Sequence, residues 1–226
     1  GNYRGIIGPS NTSMLWNFRQ TYGYGISNVD DKDAGFWYGG WRGIRRCNVA
    51  LKNFHYLAEA TQEEKDLLLG QIYFFRAFLH GEIISIWGGM PYVDTVFAAS
   101  DELILPRISY QECTERIIED LDRAISLLPL DWDYTTTGGQ RFGANAGRIT
   151  KGAALAYKQK FLLYAASPLM NLFSGNTATY NQALAERAAA AGWETLKAAN
   201  TILPNGHKVY ELVPFTNYND NFYKRD

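Results

Sequence analysis

The chain has 226 residues, a hydrophobic content of 46% and a net charge of −1. Its length suits one large domain or two small ones, and its apolar content is enough for a substantial core. The charge gives no case for nucleic acid, which calls for a basic face, and none for an electrostatically held membrane helix.

Residues 1–35 read as irregular, with Gly, Asn, Ser and Asp interleaved with Tyr and Trp, and a short helix is expected over part of 9–20. A helix is predicted over 36–58, where Trp37, Trp41, Ile44, Asn48, Leu51 and His55 recur at three- and four-residue steps. Thr61-Gln62-Glu63-Glu64 is a capping box, and the helix it opens is expected to run to about Trp87 with Leu68, Ile72, Phe75, Leu79, Ile83 and Ile86 as its apolar stripe. Gly88, Gly89 and Pro91 end it. Residues 88–106 read as a connection with some extended character. Ser109-Tyr110-Gln111-Glu112 is a second capping box, whose helix carries Ile117, Leu121, Ala124 and Leu128 on one face and stops before Pro129. After a Gly/Thr-rich loop over 130–147, Thr150 caps a helix from Lys151 to about Ala166; 169–177 reads as a loop. A last helix is predicted from about Thr179 to Asn200, with Ala183, Ala188, Ala191, Leu196 and Ala199 along it, before an irregular tail. The rhythm predicts a mainly α fold, a tetratricopeptide-like scaffold of helix pairs with long irregular loops and little β.

No run of about 18 apolar residues occurs, so no membrane-spanning helix is expected. No signal peptide is visible, and the opening Gly1-Asn2-Tyr3-Arg4 suggests a leader removed or left out. Cys47 and Cys113 read as two buried free thiols rather than a bridge.

Catalytic patterns are missing. His55, His80 and His207 lack metal spacing, and His80, one turn after Arg76, reads as a packed structural histidine. Gly23-Tyr24-Gly25 lacks the third glycine of a dinucleotide fingerprint. Asp131-Trp132-Asp133 opens like a calcium loop but has Phe142 where a glutamate is needed. Glu63, Glu64 and Asp66, and Glu119, Asp120 and Asp122, read as solvated helix faces that assist the macrodipole rather than as paired acids. No metal site and no cofactor is expected.

Five segments together resemble the SusD/RagB family, surface lipoproteins of Bacteroidetes that work with a TonB-dependent outer-membrane transporter. They are Trp41 to Leu51, Tyr73-Phe74-Phe75-Arg76-Ala77-Phe78 with the Trp87–Asp94 turn, Arg107 to Pro129, Gly147-Arg148-Ile149-Thr150-Lys151-Gly152-Ala153-Ala154 with Leu162 and Tyr164, and Ala166 to Asn171. The resemblance covers about residues 36–212. It implies a single SusD-like helical domain over 1–226, truncated at both ends, with 1–35 as its loop region. It implies a non-enzymatic protein of the outer membrane's extracellular face, held by a lipid anchor not present in this chain. The implied partners are a SusC-like transporter and a glycan, or in some relatives a peptide, with no nucleic acid. A helical-repeat scaffold that binds only proteins is the first rival reading; the second is an enzyme such as a helical glycoside hydrolase, which needs two facing carboxylates in a cleft, a pair that nothing in the sequence nominates. Arg76, Gly147 and Arg148 read as structural, Arg76 through a scaffold salt bridge.

Sugars stack their C–H faces on aromatic rings, so two aromatic stretches are candidate ligand sites. The first is Tyr22, Tyr24, Trp37 and Tyr38 with Asn28, Asp30 and Asp31 nearby; the second is Trp132 and Tyr134 with Arg141 and Phe142. Trp41 reads as core. The near-zero net charge argues for a neutral glycan over a polyanion.

Overall fold

The computed structural model describes residues 35–98, 100–102, 104–212 and 214–218. The expected helix within 9–20 lies outside them. Helix α1 spans Gly35–Lys52, α2 Gln62–Trp87 and α3 Tyr110–Leu127. After a one-turn helix, α4 (Thr136–Gly139), come α5 (Lys151–Ala166), α6 (Pro168–Phe173) and α7 (Gln182–Ala199). Among the described residues the β content is one isolated bridge, Ile202 to Lys208. The fold is mainly α, as expected.

The long helices lie side by side in chain order, α1 on α2, α2 on α3, α3 on α5 and α5 on α7. Each runs antiparallel to the next. Trp37 meets Trp87 while Asn48 meets Arg76; a Cβ on Gly70 would touch Leu128 while one on Gly89 would touch Ile108. At the other end of the array, the Asn181 amide donates to the Ala166 carbonyl at 2.9 Å and Gly192 abuts Gln159.

Local chemistry sets the boundaries. Both capping boxes form: Thr61 accepts from the Glu64 amide and Ser109 from the Glu112 amide, and each glutamate carboxylate accepts from its cap residue's amide at 2.8 Å. Thr150 accepts from the Ala153 amide to open α5. The first helix ends at Lys52, earlier than expected, because the Asn53 carboxamide turns back to donate to the Val49 carbonyl and a 3-10 turn, Phe54–Tyr56, follows. The segment expected as a loop holds α6, because Ser167 caps it by accepting from the Met170 amide and Pro168 occupies its first position, where a missing N–H costs nothing.

The main core joins α2, α3, α5 and α7 through Leu67, Phe74, Ile84, Ile117, Leu121, Phe161, Leu162 and Leu184. Burying one such side chain contributes roughly 1.5–3 kcal/mol. A smaller core, Ile44, Leu79 and Ile83, lies between α1 and α2 and is roofed by Trp37, Trp41 and Trp87. With α1 on one side and α3 on the other, α2 is buried on a broader arc than the expected stripe: Leu67, Phe74 and Ile84 are interior, while Leu68 and Ile86 are exposed. By length and composition α2 passes as a membrane-spanning helix, yet 67% of its apolar window is buried inside the protein. On α7 the buried face is Leu184, Ala188, Ala191 and Ala198, whereas Ala183 and Leu196 face out.

Asp120 also departs from expectation. It sits 2% exposed, paired with Arg76 between α2 and α3, instead of on a solvated face. Cys47 and Cys113 are free and buried, as read from their number.

Candidate functional site

The aromatic rings of α1 gather where the helix begins. Trp37 packs edge-on against Trp41 at 5.5 Å between centroids and against Trp87 at 5.0 Å. Trp37 is half-buried, while Tyr38, one residue on, is 62% exposed with the Arg42 guanidinium 5.1 Å over its ring. Trp41 turns inward to meet the His80 ring edge-on at 6.0 Å. Of the first candidate stretch, Trp37 and Tyr38 are therefore neighbours on one helix end. Tyr22, Tyr24 and Asn28, with Asp30 and Asp31, lie outside the described residues. Trp87 belongs to this cluster and was not anticipated. In the sequence Trp87 stands directly before Gly88-Gly89 and reads as the end of a helix, with nothing local to mark its ring as exposed to a partner.

The platform rests on a polar network. The Arg76 guanidinium grips Asp120 with two bonds, Nε to Oδ2 at 2.6 Å and Nη2 to Oδ1 at 2.7 Å, and its Nη1 donates to Asn48 Oδ1 at 3.0 Å and to the Asp94 carbonyl. Tyr92 donates its hydroxyl to Asp120 at 2.8 Å. Asn48 in turn donates to the carbonyls of Val93 and Thr95. One ion pair thus ties α1, α2, α3 and the 88–95 turn together. Such a pair costs desolvation and stabilises only when other hydrogen bonds serve its lone pairs and protons; here Asn48 and the Asp94 carbonyl accept from Arg76 and Tyr92 donates to Asp120. His80 completes the fixture. Its Nδ1 donates to the Arg76 carbonyl at 2.9 Å, its Nε2 accepts from the Val93 amide at 3.2 Å, and it stacks on Tyr92 at 4.0 Å. Burial, with the Arg76 charge adding to it, brings its pKa down to about 3, so the ring is a neutral strut as its position suggested.

The second candidate stretch divides. Trp132 is 3% exposed; its indole N–H donates to the Ile149 carbonyl at 2.8 Å, and Arg148 lies 4.8 Å over its ring. The structure thus places Trp132 in the core, where it offers no open face. Tyr134, two residues on, is 36% exposed and packs edge-on against the more exposed Phe142. The loop between them is braced. Asp133 accepts from the Gly143 amide at 3.0 Å and from Asn145 Nδ2 at 2.6 Å. Glu63 accepts from the amides of Thr136 and Thr137, both at 2.9 Å. The backbone bond from Thr136 leads the contacts that hold the Glu63 carboxyl below the usual range. Glu63 therefore staples the start of α2 to the start of α4 instead of facing water alone. Among the described residues no group of three His, Cys, Asp or Glu side chains is placed to hold a metal ion.

An antiparallel array of helices with exposed aromatic rings at the ends of its loops defines an all-helical scaffold of the helix-pair kind. The chain belongs to the SusD-like family, described as starch-binding and associating with the outer membrane, whose model matches residues 7–163. A curated SusD-like protein of Formosa agariphila is 35% identical over 94 residues, which are 41% of this chain and 18% of that protein. A solved SusD-like protein of Bacteroides fragilis is 26% identical, with a TM-score of 0.60 over 82% of this chain and 32% of its own. Surface glycan-binding protein A of Bacteroides uniformis, 19% identical, has a TM-score of 0.60 over 84% of this chain and 37% of its own. A laminarin-binding SusD-like protein, 18% identical, has a TM-score of 0.56 over 76% of this chain and 32% of its own. The last two bear on the fold alone. The chain spans about a third of the length of these solved relatives.

Proposed function

We propose that this chain is the helical part of a non-catalytic, cell-surface glycan-binding protein, which passes its ligand to a SusC-like TonB-dependent transporter in the outer membrane. The observation that carries this reading is the family match across residues 7–163, which spans the whole aromatic end of α1 and its supporting network. Trp37 and Tyr38 are the described residues proposed to meet a sugar, joined by Tyr22, Tyr24 and Asn28 from outside them. Tyr134 with Phe142 forms a second contact, for which buried Trp132 is the foundation. Stacking on such rings supplies affinity without any group to break a bond. A peptide in place of a glycan uses the same rings.

Calorimetric titration of the intact protein with a panel of neutral and acidic polysaccharides tests this, with the products analysed afterwards. The expected result is saturable binding of at least one glycan with no shortened product. Trp37→Ala should weaken it about tenfold, in line with the loss of an aromatic anchor. Hydrolysis of the ligand, or no glycan binding at all, overturns the reading.

A further inference from the structure

Helix α1 carries a local charge that the whole chain does not. Gly35–Lys52 contains Arg42, Arg45, Arg46 and Lys52 and no Asp or Glu, in a chain of net charge −1. Arg42, Arg45 and Arg46 are exposed and line one depression of about 490 Å³ with Val49, Ala50 and Asn53. Among the described residues no carboxylate lies within ion-pair distance of Arg42 or Arg45, whose described contacts are the Tyr38 ring and the Phe97 carbonyl, at 3.0 Å. A second depression of about 490 Å³ adjoins the first and shares Arg45 with it. Trp41, Phe97, Thr95 and Asp101 line it.

The wall of the second depression is pre-set. Asn48 holds the Val93 and Thr95 carbonyls, Arg45 holds that of Phe97, and Asp101 closes the turn by accepting from the Ala98 amide at 2.6 Å. Trp41 has its indole N–H shielded from solvent, with no hydrogen-bond partner among the described residues. Buried donors of this kind are rare, and an acceptor oxygen is what this one lacks. The volume is that of a small-ligand cleft.

We propose that this paired depression binds an anionic sugar unit of a glycan. The pyranose ring would lie against Trp41 and Phe97, and its carboxylate or sulfate would face Arg42 and Arg45. A guanidinium fork matches the planar oxygens of a carboxylate and the paired oxygens of a sulfate ester, and it stays charged at every relevant pH. Asp101 repels an anion on the far side, which directs the charged substituent toward the arginines and leaves hydroxyls for Asp101 and Thr95. The local charge decides here, because over distances longer than about 8–10 Å salt screens the rest of the chain. The inference rests on the glycan-binding reading above and names its substrate class.

The intact protein is titrated with polygalacturonate, with dextran sulfate and with laminarin, each at low and high salt, and separately with phosphatidylglycerol vesicles. Arg42→Gln and the double variant Arg42→Gln, Arg45→Gln are compared with Arg42→Lys, and circular dichroism checks that each is folded. The expected result is salt-sensitive binding of at least one anionic polymer, about tenfold weaker in the double variant, with Arg42→Lys keeping the charge but not the fork and so falling between the native protein and Arg42→Gln. Preference between the two polymers tells carboxylate from sulfate. Binding of laminarin alone, unchanged by the variants, overturns the inference and leaves the glycan-binding reading standing. Binding of none of the polysaccharides overturns both. Arginine-dependent binding of vesicles without polysaccharide binding overturns the inference in favour of a membrane surface.

Discussion

His80 is a histidine whose ordinary titration is forbidden by its surroundings. Both ring nitrogens are committed, one as a donor to Arg76 and one as an acceptor from Val93, and a second proton would displace the Val93 amide beside an existing guanidinium. In an unfolded chain an imidazole protonates near pH 6.5; in the fold this one does so only near pH 3. Between these values the unfolded state holds more protons. The contribution of His80 is therefore complete above pH 6.5 and drains away as pH falls toward about 3. The urea midpoint of the native protein should fall between pH 6.5 and about pH 5. His80→Gln, whose carboxamide can donate and accept in the same places, should fall clearly less; parallel profiles would refute this account. The structural role of His80 was readable from its lone position one turn after Arg76. The burial of Asp120 was not. Its neighbours Glu119 and Asp122 carry the same charge, and only the partner on another helix distinguishes an inward carboxylate from an outward one.

Helix ends follow short-range rules, and helix faces follow long-range ones. The two capping boxes and Thr150 define where α2, α3 and α5 begin, because each cap is satisfied within three residues. The inward faces of α2 and α7 depend on which helices arrive on either side, which no local pattern records. α6 was hidden because Ser167-Pro168 can end one helix and begin the next, and here does both. Glycine positions reveal the same long-range control. A Cβ on Gly81 would lie 2.2 to 2.6 Å from ring atoms of Phe161 on α5. Alanine is the better helix former by about 1 kcal/mol, yet Gly81→Ala should lower stability by roughly 1–3 kcal/mol through overpacking. Chemical denaturation measures it, and an unchanged or raised stability would mean that Phe161 moves aside freely.

For the molecule as a whole, the order of helices and the family were legible because five different motifs occur in a fixed order along the chain, with most of their residues at helix starts and packed interfaces. The ligand surface was less so. Stacking aromatics and core aromatics are the same residue types at the same spacing, and burial alone separates Trp132 from Tyr134. The basic face of α1 was masked by a different average. A whole-chain charge near zero conceals a helix whose charged residues are all cations.

The tie between His80 and Val93 also has a consequence in time. Val93 lies in a connection without regular structure, where amide protons ordinarily trade with solvent within seconds or faster. Its amide is nonetheless bonded to a ring buried between helices. Its proton can leave only when that packing opens, so its deuterium uptake should be as slow as that of the core of α2 and should slow or quicken in step with it as denaturant is varied. In a hydrogen-exchange experiment this irregular segment would then keep the clock of global unfolding; rapid uptake at Val93 would mean that the turn opens alone.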